Sequence, residues 1–404
     1  MITTINNKHN KLNVPNLRFP EFEGEWEKCT FDEIAQYKKG PFGSALKKDI
    51  FVPQSKTAIK VYEQQNAIKK DWTLSRYYIT KDYFDSHMKQ FVTKAGDLIV
   101  SCAGTIGEIY ELPQEAEDGV FNQALMRVRV NEEIVNKEIF ITVFSSMIDK
   151  FSKIYSNGSA IKNIPPFADL KRTHVYLPCK EEQNAITKLL RSLDERIATQ
   201  NKIIEDLKKL KSAIIEKLYS EIQGKEYSYR QLFEIINERN NRLEFSNVLS
   251  ASQERGMVSR EDLNLDIKFE RSNINTYKIV RNGDYVIHLR SFQGGFAFSN
   301  IVGVCSPAYT IMRPKDLLEY GYLSYYFTSR QFIKSLVIVT YGIRDGRSIN
   351  VDEWLDMKIV IPTKEQQRHI VRTIKVFENR IENEEMYASC LLKQKQHLLR
   401  QMFI

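Results

Sequence analysis

The stretch KEEQNAITKLLRSLDERIATQNKIIEDLKKLKSAIIEKLYSEIQG, residues 180–224, decides the fold. Its seam runs Ile186, Leu190, Leu193, Ile197, Gln200, Ile204, Leu207, Lys211, Ile214 and Leu218, at alternating spacings of four and three, with eight of ten positions apolar. That period marks a coiled-coil helix, and Pro178 before it and Gly224 after it supply the stop signals. At about 1.5 Å per residue, a helix from Glu181 to Ile222 is roughly 60 Å long, more than an ordinary globular domain requires. Such a helix needs a partner for its seam.

The partner is written in the same chain. An offset of 184 residues lays LPCKEEQNAI (177–186) on IPTKEQQRHI (361–370), Pro178 on Pro362 and Gln183 on Gln367. The seam then repeats as Ile370, Ile374, Phe377, Ile381, Glu384, Ala388, Leu391, Lys395, Leu398 and Met402. The polar interruptions Gln200/Glu384 and Lys211/Lys395 fall at matching places, so the chain carries an internal duplication.

Outward from the helices, residues 1–25 are polar, and Pro15, Pro20 and Gly24 exclude a helix there. From Trp26 to Leu177 the pattern predicts a helix over Phe31–Gln36 and then a turn-rich loop, KKGPFGSALKKD (38–49). Short apolar runs bounded by Gly, Asn and Asp predict strands in VYEQQNAI (61–68), YYIT (77–80), GDLIVSCAGTIGEIYEL (96–112) and ALMRVRV (124–130). A helix over Lys137–Tyr155, a loop SNGSAIKNIPP (156–166) and a strand HVYLP (174–178) lead into the long helix. The second half retells these events: GDYVIHLRSFQGGFAFSNIVGVCSPAYTIMRP (283–314), a helix over Asp316–Val339, a loop YGIRDGRSINVDEW (341–354), a strand MKIVIP (357–362) and the second long helix. The predicted domains are 1–179, 180–224, 225–362 and 363–404.

A chain of 404 residues, 42% apolar and 27% charged, is globular with room for two or three domains. The N-terminus has no signal-peptide core and no run approaches the ~20 apolar residues of a membrane span, which predicts a cytoplasmic protein. The five cysteines are scattered and the six histidines lack metal spacing, so neither disulfides nor a metal are expected. NIPPF (163–167) is close to the string with which amino-methyltransferases grip a flipped base, but Ile164 stands before Pro165 where a hydrogen-bonding side chain is needed. GPFG (40–43) and QGGF (293–296) open no helix, as dinucleotide or phosphate sites require, and no P-loop or Ser, His and acid set can be assembled. Glu181, Glu182, Asp194 and Glu195 read as the solvated outer face of the long helix.

Binding chemistry remains. Net charge is +8 with a pI near 9.0, which suits a polyanionic partner. Residues 27–178 hold 17 Lys and 4 Arg, whereas residues 227–362 hold 5 Lys and 12 Arg. Lysine is a point charge for phosphates, while arginine also forks onto the guanine O6 and N7 edge. Candidate contacts in the first half are Lys39, Ser44, Lys47, Lys48, Gln64, Gln65, Asn66 and Lys162, and in the second Arg290, Ser291, Gln293, Arg344 and Arg347. Gln and Asn pair bidentately with adenine, and the lysines and arginines suit backbone phosphates. The competing reading of Gln64–Asn66 is that they merely close a strand.

GPFGSALK (40–47), GDLIVSCAGTIG (96–107), LPCKEEQNAI with its helix, GDYVIHL (283–289) and IPTKEQQRHI (361–370) together resemble the DNA-specificity subunit of type I restriction-modification systems. The resemblance covers almost the whole chain, and the twofold succession of domain, Pro, Glu-x-Gln-like helix start and coiled-coil helix carries it. It implies an α+β fold: two mixed α/β target-recognition domains, each reading half of a split target in double-stranded DNA, held apart by two long antiparallel coiled-coil helices. It also implies a non-catalytic subunit. Methylation and ATP-driven cleavage then belong to two modification subunits and to restriction subunits, which bind S-adenosylmethionine, ATP and magnesium. Two rivals remain at this stage: a self-contained methyltransferase or nuclease, for which no stretch is left unassigned, and a coiled-coil scaffold with no nucleic-acid role.

Overall fold

A computed structural model of the chain describes residues 3–4, 13–155, 167–252, 255–263, 271–288, 295–341 and 348–404. It divides into two compact units, Met1–Ala198 with Cys390–Ile404, and Thr199–Ser389. A central helix, Lys180–Ser220, and a terminal helix, Lys364–Met402, each contribute to both. No helix among the described residues is long and apolar enough to cross a membrane.

In the first unit, Thr30 and Glu33 form a capping box that starts a single helical turn, Phe31–Ile34. The predicted helix to Gln36 ends early because Ala35–Lys39 gives its backbone to Leu125–Val130 as a strand. The sheet continues antiparallel through Leu98–Ser101 to Ile109–Glu111. Helix Lys137–Tyr155 lays Ile139, Phe140, Phe144 and Ile148 on that sheet, where they meet Phe31, Leu98, Val100 and Val128. Leu190 and Leu193 of the central helix and Leu398 and Met402 of the terminal helix complete this core. Strand Glu27–Thr30 pairs with His174–Leu177 at the foot of the central helix. A second, mixed sheet is built from Tyr77–Ile79, Ile59–Tyr62, Gly119–Phe121 and Val92–Thr93.

The second unit repeats the plan. A Ser228/Gln231 capping box starts the turn Tyr229–Leu232, and strand Phe233–Ile236 opens a sheet that runs through Thr310–Pro314 and Tyr285–Ile287 to Phe296–Phe298. Lys225–Ser228 pairs with Lys358–Ile361. The Gly-Asp step found in both halves is a built turn: Gly96 and Gly283 take φ of +82° and +92°, a region that glycine enters without steric cost. Asp97 accepts from the Lys94 amide at 3.0 Å and holds Arg129 with both oxygens, while Asp284 accepts from the Arg281 amide at 2.9 Å and holds Arg313 likewise.

Two further expectations change. The helix predicted over Asp316–Val339 is two short ones, Tyr322–Tyr326 and Arg330–Ser335, because the Ser329 hydroxyl accepts from the Phe332 amide and starts a new helix there. In the stretch read as a loop over 341–354, Ser348–Ile349 pairs with Thr340–Tyr341, and Asn350 caps a helix over Val351–Asp356.

The seam of the long helices is buried along most of its length. In the second unit Ile204, Ile381 and Ala388 cluster with Leu207, and the two polar interruptions meet, the Gln200 amide donating to the Glu384 carboxylate. Lys211 lies 3.3 Å from Glu378, so residue numbers rise on one helix as they fall on the other: the pair is antiparallel. The first unit contains the equivalent ion pair under the 184-residue offset, Lys395 on Asp194. Asp194, read as a solvent-facing carboxylate, is exposed as expected and serves as an interhelical partner as well. Beyond Lys211 the expected seam drifts. Ile214 and Leu218 are half-buried, while their neighbours Ile215 and Tyr219 are buried in the aromatic core of the second unit. A straight α-helix slips about 20° per heptad against a 3.5-residue repeat, and here the slip turns a second stripe toward the domain.

All five cysteines are free thiols. Burial pushes the thiols of Cys102 and Cys305 up to about 12, only partly offset by Lys39 at the first and by Lys278 and Arg260 at the second. Because the thiolate is the reactive form, a maleimide or disulfide reagent at pH 8 is expected to label the exposed Cys179 and Cys390 in the native chain and to reach Cys102 and Cys305 only on unfolding. Peptide mapping of the labelled protein checks this; early modification of Cys102 would contradict it.

Candidate DNA interface

In the first unit the lysine-bearing loop leaves the edge strand Ala35–Lys39 at Gly40, whose amide donates to the Leu125 carbonyl at 3.0 Å. A Cβ on Gly40 would stand 2.0 Å from the Asn122 carbonyl oxygen, so only glycine lets the loop depart here. Two 3-10 turns follow, Gly43–Ala45 and Lys48–Ile50. Leu46 sinks into a small core with Val61, Ile79, Met88 and Val120, and the Tyr83 hydroxyl donates to the Ala45 carbonyl at 2.7 Å. With the loop anchored in this way, Lys39, Ser44, Lys47 and Lys48 are all exposed.

The expectation for Gln64–Asn66 needs correction. The strand stops at Tyr62, and Glu63 and Asn66 make a capping box that starts a helix over Gln64–Lys69. Asn66 is buried, its oxygen accepting from the Glu63 amide at 2.8 Å and its nitrogen donating to the carbonyls of Asp71 and Leu74. It has no amide edge to offer a base. Gln64 is half-buried and donates to the carbonyls of Ala103 and Thr105, bracing the turn between Ser101 and Ile109, where Gly104 and Gly107 have positive φ. Only Gln65 of the three is exposed.

In the second unit the matching loop follows the edge strand Phe233–Ile236. Buried Asn240 holds its shape: the backbone amide donates to Tyr277, the side-chain amide to the Phe245 carbonyl at 2.7 Å, and the side-chain oxygen accepts from the Phe245 amide at 3.2 Å. Arg239 and Arg242 are exposed on this loop. Lys278, on the strand bridged to Arg239, donates to the Tyr309 carbonyl, and partial burial followed by the nearby Arg239 lowers its ammonium below the usual lysine range. Lys162, Arg290, Ser291, Gln293, Arg344 and Arg347 lie outside the described residues. The arginine loop at 239–242 was missed because its acidic and amide neighbours dilute the charge; its signal is the Asn-rich ERNNR run after an apolar strand.

The comparisons with known proteins agree with this plan. Residues 23–209 match the family described as the type I restriction modification DNA specificity domain. The type I restriction enzyme MjaVIII specificity subunit of Methanocaldococcus jannaschii is 22% identical over 413 residues, covering 93% of this chain and 90% of that protein. Among solved structures, a chain from work on complex assembly and conformational transition of the type I R-M system superposes with a TM-score of 0.62 at 15% identity, covering 93% of this chain and 96% of that one. The S subunit of a type I system from M. genitalium gives a TM-score of 0.48 at 16% identity over 97% of this chain and 99% of that one. Over residues 23–209 the chain matches the type I restriction modification DNA specificity domain, and over nearly its whole length it is similar to a type I restriction enzyme specificity subunit.

Proposed function

We propose that the chain is the DNA-reading, non-catalytic subunit of a type I restriction-modification complex, and that each unit reads one half of a bipartite duplex target. The observation that carries this is one module built twice with differently furnished edge loops: exposed lysines and a serine after Ala35–Lys39, exposed arginines after Phe233–Ile236. Two copies of a scaffold with unlike basic loops suit two unlike half-sequences, lysine setting the register on phosphates and arginine adding a fork for guanine. The antiparallel helix pair sets the spacing between the halves and docks two methyltransferase subunits. Exposed apolar residues on the terminal helix, Val376, Met386 and Leu392 among them, support the docking role. S-adenosylmethionine, ATP and magnesium then act on the methyltransferase and restriction subunits, with this chain supplying their address on the DNA.

Replacing residues 27–178 with the corresponding region of a relative, in a host that carries only this specificity gene, is expected to change one half of the methylated sequence. Methylome sequencing reads the outcome. A change in both halves would overturn the independence of the two readers, and methylation without any specificity subunit would overturn the role itself.

A further inference from the structure

Both edge loops hold an apolar side chain out in solvent. In the first unit Phe42 is 89% exposed, the most exposed large apolar residue among those described. Its position is built: Pro41 before it and Leu46 after it are buried, and the Phe42 carbonyl accepts from the Ala45 amide at 2.9 Å. The ring stands on a rigid turn beside exposed Lys39, Ser44, Lys47 and Lys48, with Asp49 the one acid of the loop.

The second unit repeats this independently. Leu243 is 62% exposed, and its φ of +55° lies in the left-handed region that branched side chains rarely enter. Asn240 imposes that conformation, its carbonyl accepting from the Leu243 amide at 2.9 Å while its side chain grips Phe245 on the far side of the turn. A glycine would relax the backbone here, yet the position holds an apolar side chain aimed at solvent. Arg239 and Arg242 flank it; Arg242 faces Glu244 at 3.9 Å, a surface pair weak enough to give way to a phosphate.

We propose that Phe42 and Leu243 are wedges that enter the base stack, one in each half-site, while the basic residues around each hold the flanking phosphates. An apolar side chain held out among cations leaves its apolar area in water, whereas it matches a duplex: charged backbone on either side and an apolar interior between base steps. Phe and Leu are residue types that partly unstack a step and bend the helix, and the cost falls most lightly on flexible pyrimidine–purine steps. The wedges therefore add a preference for deformable sequence to the polar readout of each half-site.

This rests on the DNA-reading function proposed above, and the test separates the two. The full chain, assembled with its methyltransferase subunits, is mixed with duplexes carrying the target found by methylome sequencing and 2-aminopurine at successive positions. The wild-type complex is expected to brighten the probe at one step in each half-site. Phe42→Ala should abolish the signal in one half-site alone and weaken binding about tenfold or more, and Leu243→Ala should do the same in the other, with melting temperatures unchanged. The wedges are overturned if the wild type binds without unstacking any step, if either variant binds and brightens the probe like the wild type, or if the variants lose assembly with the methyltransferase while keeping the DNA response, which would make these tips protein contacts. If the wild-type complex binds no duplex in a salt-dependent way, the DNA-reading function falls as well.

Discussion

Trp354→Ala is expected to destabilise the second unit by about 3–5 kcal/mol, the cost of deleting a fully buried large aromatic and leaving a cavity behind. Trp354 is completely buried at the centre of an aromatic cluster, stacked on Tyr229 at 4.2 Å between centroids, with Phe296 at 5.0 Å and Phe233 and Phe327 just beyond 6 Å. Ile361, Ile370 and Ile374 belong to the same core, so loss of the indole loosens the sheet, the short helices of 322–335 and the start of the terminal helix together. Trp354→Phe should cost much less, because the indole N–H has no acceptor among the described residues and only volume is lost. Urea unfolding of the two variants checks the ranking. Equal costs would mean that the indole N–H is engaged after all; a cost near zero for alanine would mean that this core can close around the gap.

What could be read from the sequence follows from the range of the interaction concerned. The seam of the long helices was legible because a coiled coil repeats its requirement every few residues, and the duplication wrote it twice. Gln200 and Glu384 were legible only as matching interruptions; that they bond to each other needs the antiparallel register, which no local pattern carries. Ile215 and Tyr219 escaped because a second partner, the domain core, competes with the first for the helix face. In the site, the exposed lysines at 39, 47 and 48 were legible from charge and turn chemistry. Asn66 was misread because its capping role depends on Glu63 three residues earlier, a local bond that outranks any claim from a ligand. Phe42 and Leu243 were passed over for the opposite reason. Apolar residues are taken for core unless the structure shows them in water.

Glu182→Ala is expected to cost about 3–5 kcal/mol, and the reason lies in how the two copies of one helix start diverged. At the terminal helix, Gln366 accepts from the Thr363 amide and hydroxyl, each at 3.1 Å, an exposed capping box. The equivalents in the first copy are Glu182 and Cys179, and a thiol is a poor cap. Glu182 turns inward instead, 1% exposed and not solvated as its helical position suggested, and holds Arg18 through two bonds of 2.8 and 2.7 Å. Arg18 is itself buried and donates also to the carbonyls of Gly24 and Glu23, so one ion pair fastens residues 17–24 to the central helix. Removing either partner strands a buried charge; removing both, as in an Arg18→Leu and Glu182→Leu chain, should recover most of the loss, whereas Gln366→Ala on the exposed side should cost only about 1 kcal/mol. A double-mutant cycle measured by urea unfolding decides the matter. If Glu182→Ala costs no more than Gln366→Ala, the pair is ornamental and residues 17–24 are held by Leu17 and Phe19 packing on the first unit's core.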